Sequence, residues 1–299
     1  MRVWKLGDRR LDFPPAIGVG IVNVTDDSFF EGARSATPER AIVDGLALAE
    51  SGFEIVDVGA VPAAPGAPVP VEREAERIVP VATALARASV PVTVDTSRHE
   101  VVREVHRALD PGAPAILGVN DTSGGTDPRM LEQVGELGWG YVLMHVEGKP
   151  GAGRRPRVHR DPIEHLRRWF SERIESVLGY GVSEEQIALD PGFDFDLSVD
   201  DALEVVRRLD ELHELGRPLF VALSRKDFLG AVMAGSWDAR APAGEREWPT
   251  AAATALAVAA GADMLRLHDR SALDALRTAA AACAHRGSVA GSHATVANE

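Results

Sequence analysis

The chain has 299 residues, 45% of them hydrophobic, enough for one large α/β domain or two small ones. Its formal charge of −13 argues against nucleic acid as a general partner, and its single cysteine, Cys283, excludes an internal disulfide or a cysteine zinc cluster. No apolar run approaches the roughly 20 residues of a membrane span, and Met1-Arg-Val-Trp-Lys lacks a signal-peptide core, so the expectation is a cytoplasmic protein with no membrane partner.

In chain order, the first dozen residues carry Gly7-Asp8-Arg9-Arg10 between short apolar flanks and predict a hairpin closing the bottom of the domain. An apolar run then starts at Ala16 and breaks into small polar groups: Asn23, Thr25, Asp26, Asp27 and Ser28. A buried parallel strand delivers polar side chains to a site at its C-terminal end in this way. A helix over 38–51 follows, with Thr37 as cap, Pro38 and Glu39 in its first turn and Gly52 after its end.

The pattern repeats. Apolar runs at 55–59, 92–96, 116–121, 142–145, 187–190, 219–224 and 264–269 are each tipped with polar or ionisable residues. Helical periodicity fills 71–88, 99–109, 128–137, 162–179, 198–215, 249–260 and 271–285. Eight right-handed βα units close into a barrel, so the predicted fold is α/β, a single (β/α)8 barrel. The rival is a doubly wound sheet, but Gly18-Val-Gly20 is only a fragment of a dinucleotide fingerprint and lies inside the strand. One domain is expected over 1–286, with a Gly/Ser/Ala/Asn tail, 287–299, expected to be disordered.

Two connections are long. Residues 60–70 hold four prolines and are expected to be stiff; 146–161 carry Lys149, Arg154, Arg155, Arg157 and Arg160, read as a solvated loop ahead of an anion clamp. Cys283 lies in an Ala-rich helix and reads as a small core residue.

In such a barrel the chemistry sits where the strands end. The strand-end residues fall into two chemical groups. Asp95, Asn120 and Asp190, with Lys226, suit a flat heterocycle with several N–H donors and a ring carbonyl, because a carboxylate accepts two parallel N–H bonds. Asn23, Arg266 and His268 come from the first and last strands and together favour an oxyanion such as phosphate, with Mg²⁺ taken by the Asn23 oxygen. Asp57 reads as bonding a loop N–H or a neighbouring strand-end group, Asp121 as capping the turn before Gly124-Gly125, and His145 as either a core or a site histidine.

These residues resemble the dihydropteroate synthase family over residues 1 to 285. The matching motifs are Asn23-Val-Thr-Asp-Asp-Ser-Phe29, Val94-Asp95-Thr96, Asn120-Asp121-Thr-Ser-Gly-Gly125, Leu143-Met-His145, Asp190-Pro-Gly-Phe193, Ser224-Arg-Lys-Asp-Phe-Leu-Gly230 and Arg266-Leu-His-Asp269. The resemblance implies that Asp95, Asn120, Asp190 and Lys226 hold a pterin ring, with Met144 packing on it. It implies that Asn23, Arg266 and His268 hold a diphosphate, Asn23 also holding Mg²⁺, and that Ser224 and Arg225 border a 4-aminobenzoate pocket. The implied reaction joins 6-hydroxymethyl-7,8-dihydropterin diphosphate to 4-aminobenzoate in folate biosynthesis, in a homodimer packed through its last helices.

The chain departs from the family pattern in its second loop, usually Gly-Glu-Ser-Thr-Arg-Pro-Gly. Here Ala63 and Ala64 replace a hydroxyl and a guanidinium. Losing one cationic contact to the leaving group would cost ~10²-fold or more in rate. Asp194, Asp196 and Asp227 are further departures, and the first two are expected to repel a nearby diphosphate unless a metal intervenes. The alternatives are a paralogue using another acceptor and a pterin-binding protein without synthase activity.

Overall fold

The computed structural model describes residues 3–13, 16–25, 37–61, 69–110, 116–148 and 156–284. An antiparallel hairpin, β1 (Val3–Leu6) and β2 (Arg9–Asp12), precedes eight parallel strands. The strands and helices run β3 (Ile17–Asn23), α1 (Pro38–Glu50), β4 (Ile55–Gly59), α2 (Val71–Arg87), β5 (Val92–Asp95), α3 (His99–Ala108), β6 (Leu117–Asp121) and α4 (Pro128–Leu137). They continue with β7 (Gly140–Met144), α5 (Pro162–Gly179), β8 (Ile187–Asp190), α6 (Val199–Arg207), β9 (Phe220–Val221), α7 (Asp227–Ala234), α8 (Glu247–Ala259), β10 (Met264–Leu267) and α9 (Arg270–Ala284).

Neighbouring strands pair in the order β8-β7-β6-β5-β4-β3-β10-β9. The ring closes between β8 and the start of β9 through a parallel bridge from Leu189 to Leu219, with Leu189 N donating to Pro218 O at 2.9 Å. This is the (β/α)8 barrel read from the alternation of runs. β4, β6, β7 and β8 are buried throughout because helices cover one face and the barrel interior the other.

Period-two alternation sorts the strand residues into two cores. Val56, Val58, Val92, Val94, Leu117, Val119, Leu265 and Leu267 join the large cluster with the helices. Ile17, Val19, Ile55, Val142, Ala188, Phe220 and Met264 form a second cluster with Trp4 and Leu6 of the hairpin, and this cluster fills the lower barrel. The hairpin fits because two strand-start residues have no side chain. A Cβ on Gly118 or Gly140 would meet Leu6 Cδ1 at 2.7 or 2.8 Å. Trp4 Nε1 is satisfied by Gln186 O at 2.6 Å.

Three local expectations need correcting. β9 is two residues long rather than six, because the chain leaves the sheet after Val221. The helix expected over 198–215 is α-helical only to Arg207 and continues as a 3₁₀ helix, Leu209–Leu215. α7 was not expected at all: its eight residues carry a glycine and lack a local cap, and the group that starts it lies in another loop. The tail 287–299, and with it the boundary at residue 286, lies outside the described residues, as do Ala63, Ala64, Lys149, Arg154 and Arg155.

Candidate active site

The same alternation selects the site residues. Counting upward from the lower core in steps of two leads to Asn23 on β3, Asp57 on β4, Thr93 and Asp95 on β5 and Asn120 on β6. On the far side it leads to Met144 on β7, Asp190 on β8, Ser224 beyond β9, and Arg266 and His268 at β10. Every strand therefore presents a polar or soft group inward at the C-terminal mouth.

At the centre lies Arg266. Its Nε donates to Asp57 Oδ2 at 2.5 Å and its Nη2 to Asp95 Oδ2 at 2.7 Å. Asp57 is fully buried and also accepts from Thr93 Oγ1 at 2.5 Å and Asn120 Nδ2 at 3.3 Å. Burying a carboxylate is costly unless it is paired and hydrogen-bonded, and Asp57 is both. Its sequence reading as a bond to a neighbouring strand-end group matches this place.

Asp95, half-buried at the end of β5, is the more accessible of the two carboxylates. Burial pushes its carboxyl up to about 7, with Asp57 and Glu74 adding repulsion against the pull of Arg266 and Lys226. Asp190 is likewise pushed up to about 6 by burial, although Gly192 N donates to its Oδ1 at 2.8 Å. Asn120 uses its Nδ2 on Asp57, and its buried Oδ1 accepts no hydrogen bond among the described residues. A buried acceptor left open beside two strained carboxylates calls for N–H donors from a ligand. Met144, nearly buried at the end of β7, supplies an apolar surface.

The remaining side is built on the segment between β9 and α7. Lys226 Nζ donates to Phe193 O at 2.9 Å and lies 5.1 Å from the Phe195 ring centroid. Ser224 Oγ meets His268 Nδ1 at 2.9 Å and accepts from His268 N at 3.3 Å. Arg225, in the left-handed region at φ 56°, forms a two-pronged pair with Asp269 while its N donates to Thr250 Oγ1 at 2.9 Å.

The groups assigned to an anion have partners within the protein. The Arg266 guanidinium is shared between Asp57 and Asp95, while His268 joins Ser224. The register leaves Asn23 further out along the barrel axis, because Arg266 pairs with Val19 while Asn23 faces Gly59. The acids of the sixth loop are engaged by backbone donors. Asp194 accepts from Asp227 N and, at 2.9 Å, from Phe228 N, so it caps α7; Asp196 accepts from Glu147 N at 2.7 Å. Asp227 is paired to Arg246 at 2.6 Å.

Several supports were missed at the sequence level. Glu74 is buried on α2, bonded by Thr96 Oγ1 at 2.5 Å and by Arg98 Nη1 at 2.7 Å, which braces the end of β5. Arg246 is buried and binds Arg225 O at 2.8 Å and Ala241 O at 2.7 Å. A glutamate inside an apolar helix face was the one available signal for Glu74; Arg246 had none. Asp121 accepts from Ser123 N at 2.8 Å, Gly125 N at 3.3 Å and Tyr141 OH at 2.6 Å, so it caps the turn as read.

The family model described as pterin binding enzyme matches residues 19–268. A dihydropteroate synthase of Mycobacterium leprae is 37% identical over 277 residues, 91% of this chain and 95% of that protein. Another protein of the same organism, named inactive dihydropteroate synthase 2, is 35% identical over 258 residues, 84% of each. Among solved structures, dihydropteroate synthase of Xanthomonas albilineans in complex with 7,8-dihydropteroate superposes with a TM-score of 0.78 at 33% identity, covering 94% of this chain and 98% of that one.

Proposed function

We propose that this chain, which belongs to the pterin-binding enzyme family, works as a dihydropteroate synthase. It condenses 6-hydroxymethyl-7,8-dihydropterin diphosphate with 4-aminobenzoate and releases diphosphate. The observation that carries the reading is the open Asn120 Oδ1 between Asp95 and Asp190 at the barrel mouth. These three groups offer acceptors in an arc that an N–H-rich ring edge satisfies, and Lys226 offers a donor for a ring carbonyl or nitrogen.

The chemistry asks little covalent work of the protein. The C–O bond to diphosphate breaks with its electron pair leaving on oxygen, and the methylene cation is delocalised over the ring. The amine lone pair then forms the C–N bond, and the amine proton passes to solvent. Asp95 and Asp190, in their ionised forms, stabilise positive charge on the ring as it develops. Met144 holds the ring plane. Ser224 and Arg225 border the amine side, and Arg225 is held rigid by Asp269.

Asn23 and His268 receive the diphosphate, while Arg266 holds Asp57 and Asp95 in place for the ring. A hard amide oxygen such as that of Asn23 suits Mg²⁺ when phosphate oxygens and waters complete the shell. Mg²⁺ bound there would neutralise leaving-group charge. The reading extends to a homodimer in the cytoplasm. Trp248 and Leu256 on α8 are 82% and 62% exposed and offer apolar surface for a second copy, and no helix among the described residues is long and apolar enough to cross a membrane.

A second reading, a pterin-binding paralogue without turnover, is favoured by Ala63 and Ala64 in the second loop and by the similarity to a relative named inactive. Incubation with the pterin diphosphate and Mg²⁺, with and without 4-aminobenzoate, separates the two. Pteroate and diphosphate forming together is the expected result. Diphosphate alone would point to another acceptor, and neither product, with pterin still bound, would establish the second reading.

A further inference from the structure

A second constellation of metal-ligating groups stands outside the pterin site. His145 and Glu147, two residues apart just past the end of β7, bring their ligand atoms to one place. His165 comes to meet them from the first turn of α5, whose start is set by the Asp161 side chain accepting from Ile163 N at 3.0 Å and Glu164 N at 3.2 Å. His165 Nε2 lies 3.2 Å from His145 Nε2 and 3.3 Å from Glu147 Oε1, and the three ligand atoms are all within 4.8 Å of one another.

Hydrogen bonding alone serves this cluster poorly. A single Nε2 proton on His165 would have to satisfy both the carboxylate and the other imidazole. With that proton absent, the His165 lone pair faces a carboxylate. A cation at the centre resolves the conflict, because all three atoms then act as donors to it. The two spacings from His165 fit: ligands about 2.0–2.1 Å from a tetrahedral Zn²⁺ stand roughly 3.3 Å apart.

The surroundings hold these groups in place. Asp196 fixes the Glu147 backbone at 2.7 Å, and Arg157 holds the other Glu147 oxygen. His159 stacks on His165 with ring centroids 4.0 Å apart and is itself tied to Asp201 at 3.0 Å. Trp169 and Phe170 wall in His145, with centroids at 4.9 and 6.5 Å. A surface cavity of about 530 Å³ lined by His159, Arg160 and Arg168 opens onto His165 and gives an entry path.

We propose that His145, Glu147 and His165 bind one divalent transition-metal ion, Zn²⁺ being the best match, with water in the fourth position. Two imidazoles and a carboxylate select Zn²⁺ over Mg²⁺, which prefers oxygen ligands in an octahedral shell. The site adjoins the pterin pocket without sharing a ligand: His145 follows Met144, and its N donates to Asp190 O at 2.8 Å. A bound ion would tie the end of β7 to the start of α5 and so steady Met144.

The full chain, stripped with a chelator, is titrated with Zn²⁺ by calorimetry, with Mg²⁺ as the contrast. Co²⁺ absorption reports ligand geometry. One Zn²⁺ per chain, tetrahedral Co²⁺ bands and no heat from Mg²⁺ at this site are expected. Glu147→Gln and His165→Gln should each weaken Zn²⁺ binding by more than about 100-fold, since losing even a partner of a metal ligand costs about 10–100-fold. Thermal melts of the stripped variants check that they fold, and Glu147→Gln, which preserves shape, carries the test if His165→Gln does not. No Zn²⁺ binding by the wild type, or equal binding by the Glu147→Gln/His165→Gln double variant, would overturn the proposal. None of these readouts depends on synthase turnover.

Discussion

The two sides of the barrel mouth are held by different means. Around Arg266, side chains from four strands act on one another: Asp57, Thr93, Asp95 and Asn120 are joined by bonds of 2.5 to 3.3 Å. Around α7, side chains act on backbone. Asp194 caps the helix, Thr250 holds Arg225 N, Arg246 holds two carbonyls and Lys226 a third. The first arrangement concentrates charge where a ligand arrives. The second uses charge to fix a loop. A charged residue at a barrel mouth is therefore evidence for a site only once its partner is known.

Breaking the first side should have the larger effect. Arg266→Ala leaves Asp57 buried and unpaired, and removing one partner of a buried pair costs roughly 3–5 kcal/mol. Urea unfolding is expected to show a loss of that size. Because Arg266 serves both carboxylates, calorimetry should find pterin and pterin diphosphate weakened alike; a loss confined to the diphosphate ester would mean its guanidinium acts on the anion instead. Asp190→Ala should cost about 2–5 kcal/mol in pterin affinity with much less effect on folding, as for other hydrogen-bonded charge pairs formed with a ligand. Unchanged affinity would remove Asp190 from the ring pocket.

A pH titration sharpens the comparison further. Asp95 in the free protein ionises near 7, and two parallel N–H bonds need its ionised form. Pterin affinity should therefore fall as pH drops below about 7, approaching tenfold per pH unit, or about 1.4 kcal/mol. The dependence should flatten in Asp95→Asn; an unaltered slope would assign it to another group. On the second side, Asp194→Ala removes the cap of α7 and should cost about 1 kcal/mol of stability. Bare pterin affinity should hardly change. A large affinity loss would make Asp194 part of the ring pocket rather than a brace.

Much of this was legible before folding. The strand-end residues that step inward by twos are those singled out from the runs, including Asn23, Asp95, Asn120, Met144, Asp190, Ser224, Arg266 and His268. Arg225 and Lys226, just past β9, were readable from the same motif. The short β9 and the unexpected α7 were not, because two residues are too few for a periodic signal and the cap of α7 sits 33 residues before it. Glu74 and Arg246 act through tertiary contacts alone, with partners 22 and 19 residues away.

The sequence by itself determined the barrel and which side chains face its mouth, because alternation along a strand and alternation of strand with helix are local patterns written in hydrophobicity. Tertiary structure decided which of those side chains meet. Closing the ring brought β10 beside β3 and put Arg266 within reach of Asp57 and Asp95, 209 and 171 residues away. The long guanidinium is shared by these two carboxylates, and an unpaired charge at the depth of Asp57 would be costly. The same closure set Asp194 on α7 and His145 against His165, pairings that depend on where loops fall in space.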